Sequence, residues 1–147
     1  MEYFRAMLRE DFDLAGAAPF VLGPHWRTAT PAERQEFIRL LDDYIVVTFG
    51  RRLVGYGGIS LRVIGNRGTQ SEPIVITEIE RPGAAPVKLE WRLSANSGAY
   101  RVTDLVLDGV SMAATQHDEF AAILQRTGGT VAGLLLMMRQ IIASGGP

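Results

Sequence analysis

The histidines and the paired carboxylates of this sequence are the first residues to consider for chemistry. His25 and His117 are the only histidines, and neither has a second histidine or a carboxylate at the spacing of a metal site. A histidine that acts as a general base needs an orienting partner, so a structural or solvated role is favoured for both. Asp42 and Asp43 are adjacent, and consecutive helical positions point about 100° apart, so these carboxylates do not share a site. The pattern predicts no catalytic residue here and no metal site.

Asp104, Ser111 and the glycines between Gly55 and Gly58 are the other candidates. Asp104 shares a predicted strand face with apolar residues, which suits an active-site acid, although structural pairing with an arginine is commoner. Ser111 lies in Asp-Gly-Val-Ser-Met rather than in the Gly-x-Ser-x-Gly turn of hydrolases, and helix capping explains it. No Gly-Lys-Ser/Thr follows the glycines, so a phosphate loop is excluded. We predict no cofactor, and an enzyme acting on an apolar small molecule through Asp104 stays open as an alternative.

The longest element available to position a site is a helix predicted from Pro31 to about Val54. Thr30 can cap its free amides, and Glu33 can reach back to complete a capping box. Apart from Val46, its apolar residues cover an arc of roughly 200°, whereas an ordinary amphipathic helix has a stripe only somewhat wider than about 100°. We therefore expect the helix to be covered on two sides, by protein on both or by protein and an apolar ligand.

The remaining segments predict an α+β fold. Apolar residues recur at helical spacing before the long helix and at the end of the chain. In the segment between the long helix and the last helices, they recur at every second position. We predict a curved four-stranded antiparallel sheet with helices packed on one face, similar to the cystatin-like roll. The other predicted helices are Glu2 to about Asp11, Leu14 to Leu22 (capped by Asp13, and kinked or shortened at Pro19), Ser111 to Thr127 and Thr130 to about Ala143. The predicted strands are 59–63, 74–80, 87–93 and 100–107, with a turn from Gly65 to Ser71 after the first.

The composition excludes several classes of function. The 147 residues suit a single domain over 1–147, large enough to bury a core without disulfides or metals. The net charge of -1 and the pI near 6.1 argue against a nucleic-acid partner, which usually requires a basic surface. The sequence has no cysteine and no apolar window of about 18 residues, so we expect neither a disulfide framework nor a transmembrane segment.

A series of motifs, in conserved order from about Phe12 to Leu135, resembles the MlaC/toluene-tolerance family. The motifs are LG-x-x-WR-x-ATPAER-x-EF at 22–37, Tyr44, Arg51-Arg52-Leu53, Tyr56-x-Gly58, the strand from Pro86 to Leu93, Tyr100-Arg101-Val102-x-Asp104, Asp108 to Met112, Glu119-Phe120 and Arg126-x-Gly128-Gly129. The resemblance implies a periplasmic phospholipid carrier without enzymatic activity. Such a carrier works with membrane-embedded lipid-transport complexes of the ABC type and helps to maintain the lipid asymmetry of the outer membrane. Within the family, the hopanoid-associated subgroup resembles this sequence most. Precursors of that family carry an export signal and a further helix, so we expect that part of the family fold to be absent from this chain.

The resemblance also implies a place for the lipid tails, between the sheet and the helices. The residues expected to contact the tails are Tyr44, Ile45, Phe49, Leu89, Trp91, Val102, Leu134, Met138 and Ile141. Arg27, Arg51 and Arg52 are expected to contact a lipid head group or a partner protein. A charged residue at Tyr44 or Met138 is expected to remove the lipid and leave the fold intact. An interaction module that binds a partner helix stays open as a second alternative.

Overall fold

The computed structural model describes residues 9–49, 60–95 and 98–146 in full, and the backbone of residues 50–54 and 96. Helices precede and follow an antiparallel sheet in which the strands lie in chain order, so the predicted α+β class is confirmed. The helices are α1 (Leu14–Leu22), α2 (His25–Thr28), α3 (Pro31–Val54), α4 (Met112–Arg126) and α5 (Val131–Ala143). The strands are β1 (Ser60–Gly68), β2 (Pro73–Glu80), β3 (Val87–Asn96), β4 (Ala99–Leu107) and β5 (Val110–Ser111).

The helix starts follow the capping residues of the sequence. The Asp13 carboxylate accepts a hydrogen bond from the Gly16 amide at 2.9 Å. Helix α1 continues through Pro19 to Leu22, so the expected shortening is wrong. Of the first predicted helix, residues 9–11 are helical and the remainder lies outside the described residues.

The capping box before α3 is confirmed. The Thr30 amide donates to Glu33 Oε1 at 2.9 Å, and the Glu33 amide donates to Thr30 Oγ1 at 3.1 Å. Helix α3 packs against α5 on one side and against α1 on another. Its buried apolar residues include Val46, which lies outside the main apolar arc. The helix is therefore covered on more than one side, as its wide apolar surface predicts.

The sheet has one apolar face and one charged face. On β3, Val87 and Leu89 are buried, whereas Lys88 and Arg92 are exposed. Glu90 lies on the charged face, yet it is buried and forms an ion pair with Arg67 of β1. The alternation along β3 therefore predicts the two faces correctly. The exception is Glu90, which is buried beside its ion-pair partner Arg67.

Two details of the sheet differ from the prediction. Strand β1 continues to Gly68 through a register shift between Val63 and Gly65, so the predicted turn from Gly65 begins four residues too early. The chain turns instead at Thr69–Glu72, where the Glu72 amide donates to Thr69 Oγ1 at 3.0 Å. The two-residue β5 pairs with β4 and adds a fifth strand. A glycine in a strand interior commonly marks such a bulge, which periodicity alone does not separate from a turn.

Buried apolar side chains from the helices and from the sheet form one core. In the part of the chain that the structure describes, no individual helix combines the length and the apolar content needed to cross a membrane. The pair Met112–Arg126 and Val131–Ala143 meets that requirement only when both helices are counted together, across a bend of 112°.

Candidate functional site: an apolar cavity and an adjoining groove

A small enclosed cavity lies among α1, α3, α4 and β4. Its free volume is about 20 Å³, which is room for about one water molecule. The walls are almost entirely apolar, and the described residues that form them come from all four elements. They include Phe12, Leu14, Val21, Leu41, Ile45, Val102, Met112 and Gln116. The core between the helices and β4 is therefore not completely filled by its own side chains.

Gln116 is the unusual residue in this wall. Its exposed fraction is 1%, and neither its Nε2 nor its Oε1 has a hydrogen-bond partner among the described residues. An unpaired buried amide costs about 1–3 kcal/mol, so native proteins rarely contain one. The burial of Gln116 could have been predicted from its spacing in the sequence. Gln116 precedes the inward-facing Phe120 by four residues, which puts its polar side chain on the buried face of α4.

An open apolar groove adjoins the cavity on the sheet. It is lined by Leu61, Val75, Thr77, Trp91 and Leu93, with a volume of about 270 Å³. Leu93 of the groove is the register partner of Val102 in the cavity wall, so the two spaces are neighbours on the sheet. The Trp91 indole donates to Thr77 Oγ1 at 3.1 Å, and Thr77 Oγ1 donates to the Leu89 carbonyl at 2.7 Å. These bonds satisfy the polar atoms of the groove and leave an apolar floor.

The residues predicted to contact lipid tails fall in three places. Ile45 and Val102 line the cavity, and Trp91 lines the groove. The other six lie in the core or at its border, with Tyr44, Leu89, Leu134 and Met138 buried and Phe49 and Ile141 half-buried. Because α3 packs against α5, the structure brings the helical members together. Their contact with a ligand stays a prediction.

Tyr44 is fully buried, and its environment disfavours charge. Its hydroxyl donates to Glu119 Oε1 at 3.1 Å, and its ring packs against Phe120 with the centroids 5.0 Å apart. Burial raises the pKa of the Tyr44 hydroxyl above its ordinary value, and the Glu119 carboxylate raises it further. Met138 is fully buried as well. A charged residue at either position would be desolvated, which costs free energy of folding. The expectation that such variants lose the lipid and keep the fold stays a prediction.

The contact of the predicted head-group arginines with a lipid or a partner stays a prediction. Arg27 lies exposed in the short helix α2, and the side chains of Arg51 and Arg52 lie outside the described residues. A different group borders the cavity. Three arginines, Arg9, Arg39 and Arg101, line an open basin of about 300 Å³ that shares Phe12, Asp13 and Leu14 with the cavity wall. Arg101 belongs to a motif quoted above, but its proximity to the cavity depends on the fold.

All three arginines have defined partners. Arg39 lies 3.7 Å from Glu36 Oε1. Arg101 donates to the Phe12 carbonyl at 2.7 Å, and its buried Nε has no hydrogen-bond partner in the described part of the chain. Arg9 donates to Asp42 at 2.7 Å. The basin therefore carries three cationic side chains together with the carboxylates of Asp13 and Asp42.

Asp104 holds the start of helix α4. Ser111 Oγ donates to Asp104 Oδ2, and the Ala113 amide donates to Asp104 Oδ1 at 2.9 Å. Ser111 in turn caps α4 by accepting from the Ala114 amide at 3.1 Å. The sequence favoured an arginine as the partner of Asp104, whereas the structure gives it a serine and a helix N-terminus. Both carboxylate oxygens are engaged, which suits a structural acid.

The histidines also have local explanations. His117 does have a carboxylate neighbour, since its Nδ1 lies 3.1 Å from Asp118 Oδ1, and its ring contacts Phe20 with the centroids 5.5 Å apart. Across the described ranges, no group of three or more histidine or acidic side chains is arranged to hold a metal ion.

Comparisons with known proteins agree with the sequence motifs. The family model described as "MlaC protein" matches residues 1–140 of this chain. The intermembrane phospholipid transport system binding protein MlaC of Haemophilus influenzae is 24% identical, and the match covers 94% of this chain and 68% of the relative. A solved structure of a phospholipid-binding protein from Ralstonia solanacearum, in complex with a phospholipid, has a TM-score of 0.83 at 18% identity. That match covers 98% of this chain and 83% of the other, and it establishes a shared fold.

Proposed function

Because the chain belongs to the MlaC protein family, we propose that it binds phospholipid and carries it between membranes. The observation in the structure that carries this proposal is the unfilled apolar space where the helices meet the sheet. The whole of residues 1–147 acts as one lipid-binding domain. The chain works in the periplasm and exchanges lipid with membrane-embedded complexes of an ABC-type system. Its ligand is a phospholipid or a hopanoid-like lipid.

The energetics explain why a carrier needs such a space. Each buried methylene group gains about 0.8 kcal/mol relative to water, so two acyl chains with some 30 carbons represent on the order of 20 kcal/mol. A lipid therefore does not cross water unaided at a useful rate. An apolar protein interior makes transfer from the bilayer nearly neutral in free energy. The protein then has to keep the lipid out of water and to release it at a membrane, and neither step requires a catalytic group.

Loading requires the space to widen, because about 20 Å³ is far below the several hundred Å³ of ordinary ligand pockets. The contacts between the α1 region and β4 are the part of the wall best suited to separate. They consist of the bridge between Phe12 and Val102, the bond from the Asp13 amide to the Val102 carbonyl at 2.8 Å, and the bond from Arg101 to the Phe12 carbonyl. If α1 moves away from β4, the cavity joins the groove beside Trp91 across the Leu93–Val102 pair. The tails then lie against Leu89, Trp91 and Val102 on the sheet and against α3 and α5.

A disulfide across this contact tests the proposal. Phe12 and Val102 are paired in a parallel bridge, where neighbouring strands lie about 4.8 Å apart, within the range that a disulfide requires. The chain has no cysteine of its own, so Phe12→Cys with Val102→Cys introduces the only thiols. The reduced double variant is expected to take up diacyl phospholipid from vesicles at near one to one, measured by mass spectrometry of an organic extract. The oxidised double variant is expected to take up little or none.

The single variant Phe12→Cys, treated with the same oxidant, is the matched control and should load lipid. Equal loading of the reduced and oxidised double variants would refute opening between α1 and β4. A wild-type protein that acquires no lipid from vesicles would refute the carrier function itself.

The enzymatic alternative has no comparable support. It depends on Asp104, whose two oxygens accept hydrogen bonds at the start of α4. A general acid or base needs at least one oxygen directed at a substrate. We therefore propose a carrier without catalytic activity.

A further inference from the structure

The polar side chain in the wall of the apolar cavity, Gln116, gives more detail about the ligand. Gln116 is buried between apolar residues of α1, α3 and β4, and both polar atoms of its amide lack a partner within the part of the chain that the structure describes. If this residue served packing alone, leucine would fill the position equally well. Removing the unpaired amide would then cost no free energy of folding. The position of Gln116 is consistent with a partner that arrives with the ligand.

The amide restricts the chemistry of that partner. It is neutral, so it does not compensate the charge of a phosphate, and burying an uncompensated charge in an apolar cavity is far costlier than burying a neutral polar group. A plain hydrocarbon chain offers no acceptor, and it would leave the amide unpaired. A neutral carbonyl attached to an apolar chain satisfies both conditions, because it accepts from the amide N–H and carries no charge.

The surroundings of the cavity indicate how such a ligand is oriented. Next to the cavity lies the open basin of Arg9, Arg39 and Arg101, which shares three wall residues with it. Arg101 lines this basin, and its Nε is buried and has no hydrogen-bond partner among the described residues. The cavity thus offers apolar walls with one neutral amide, and the basin beside it carries three arginines together with the carboxylates of Asp13 and Asp42. A glycerophospholipid combines the matching groups, with acyl chains, ester carbonyls and a phosphate.

We infer that Gln116 donates a hydrogen bond to an acyl-ester carbonyl of the bound phospholipid, and that the protein therefore selects ester-linked over ether-linked lipids. This inference rests on the proposed function, because it assigns a contact within the same lipid site. The selectivity comes from one hydrogen bond, whose net contribution corresponds to a preference of roughly 3- to 10-fold.

The test is a competition between two lipids that differ only in the linkage. Lipid-extracted protein is incubated with vesicles that contain equal amounts of diester and dialkyl-ether phosphatidylcholine of the same chain length. The ratio of the two lipids bound is measured by mass spectrometry. Wild-type protein is expected to bind the ester roughly 3- to 10-fold in excess. Gln116→Leu, which keeps the approximate size of the side chain, is expected to bind both in equal amounts.

Gln125→Leu is the matched control, since Gln125 is an exposed glutamine on the same helix and should leave the ester preference unchanged. Gln116→Met provides a second apolar variant if the leucine variant folds poorly. Equal binding of ester and ether by the wild-type protein would overturn the inference while leaving the carrier function intact, and would indicate a buried water at Gln116. A preference that survives in Gln116→Leu would overturn it as well. Binding of neither lipid would instead count against the carrier function.

Discussion

Replacing Gln116 with leucine should make the lipid-free protein more stable, which is unusual for a fully buried position. The amide of Gln116 is desolvated, and its nitrogen and oxygen both lack partners in the ranges that the structure describes, a condition that costs about 1–3 kcal/mol. Leucine has a similar size and no polar atoms, and the wall around it is apolar. We therefore expect the free energy of unfolding to rise by about 1–3 kcal/mol. In a domain of this size, each kcal/mol raises the melting temperature by roughly 2–4 °C.

The assay is urea denaturation of lipid-extracted protein, followed by circular dichroism and tryptophan fluorescence. Gln125→Leu controls for the general effect of removing a glutamine from α4, because its side chain is exposed, and its stability should stay within about 0.5 kcal/mol of wild type. Destabilisation of Gln116→Leu by more than about 1 kcal/mol would refute the reasoning. That result would mean that the amide forms hydrogen bonds in the lipid-free protein, with a trapped water as the simplest partner.

Two further predictions concern residues that hold α3 in place. The raised pKa of Tyr44 means that the unfolded chain releases this proton more readily than the folded protein, so stability is complete below about pH 10 and declines above it. Tyr44→Phe should lower the free energy of unfolding by about 0.5–1.5 kcal/mol at pH 8, because the hydrogen bond to Glu119 is lost. Between pH 8 and pH 11, the free energy of unfolding should then fall less in the variant than in the wild-type protein. Identical declines in both proteins would contradict this. Thr30→Ala should cost about 0.5–2 kcal/mol in urea denaturation, whereas Thr30→Ser, which keeps the capping oxygen, should cost much less. Equal losses in the two Thr30 variants would contradict the capping role.

Much of the fold could be predicted from the sequence because its determinants are local. The capping box at Thr30 and Glu33 and the cap at Asp13 involve residues three apart, and the structure contains all of these bonds. The alternation along β3 also predicts its buried and exposed faces, apart from Glu90. Where local signals compete, the prediction is wrong, as at Gly65, where the glycine lies in a bulge within β1 and not in a turn.

The geometry of the site could not be predicted in the same way. Periodicity identifies which residues are apolar and buried, but the space left among them depends on how side chains from distant elements interlock. Ile45 and Val102 line the cavity, whereas Leu134 and Met138, which have the same apolar character, are buried away from its walls. The arginine basin also depends on long-range contacts. Arg9 and Arg101 are far apart in sequence, and they border one space because the Phe12–Val102 bridge holds the chain before α1 against β4.

A carrier must bind its lipid firmly enough to keep it from water and loosely enough to release it, and the proposed contact at Gln116 fits both requirements. The acyl chains gain nearly the same free energy in the protein as in a bilayer, so the large hydrophobic contribution almost cancels when a lipid moves between the two. Small polar contributions then decide the direction of transfer. One amide N–H that is unpaired among the described residues of the lipid-free protein and paired in the complex favours loading by about 0.5–1.5 kcal/mol, or roughly 3- to 10-fold. A partner that contacts the α1 region and keeps it away from β4 can reverse a preference of this size through a few hydrogen bonds. A charged group in the same place would have to be desolvated, at a cost that contact with a neutral ester carbonyl would not recover.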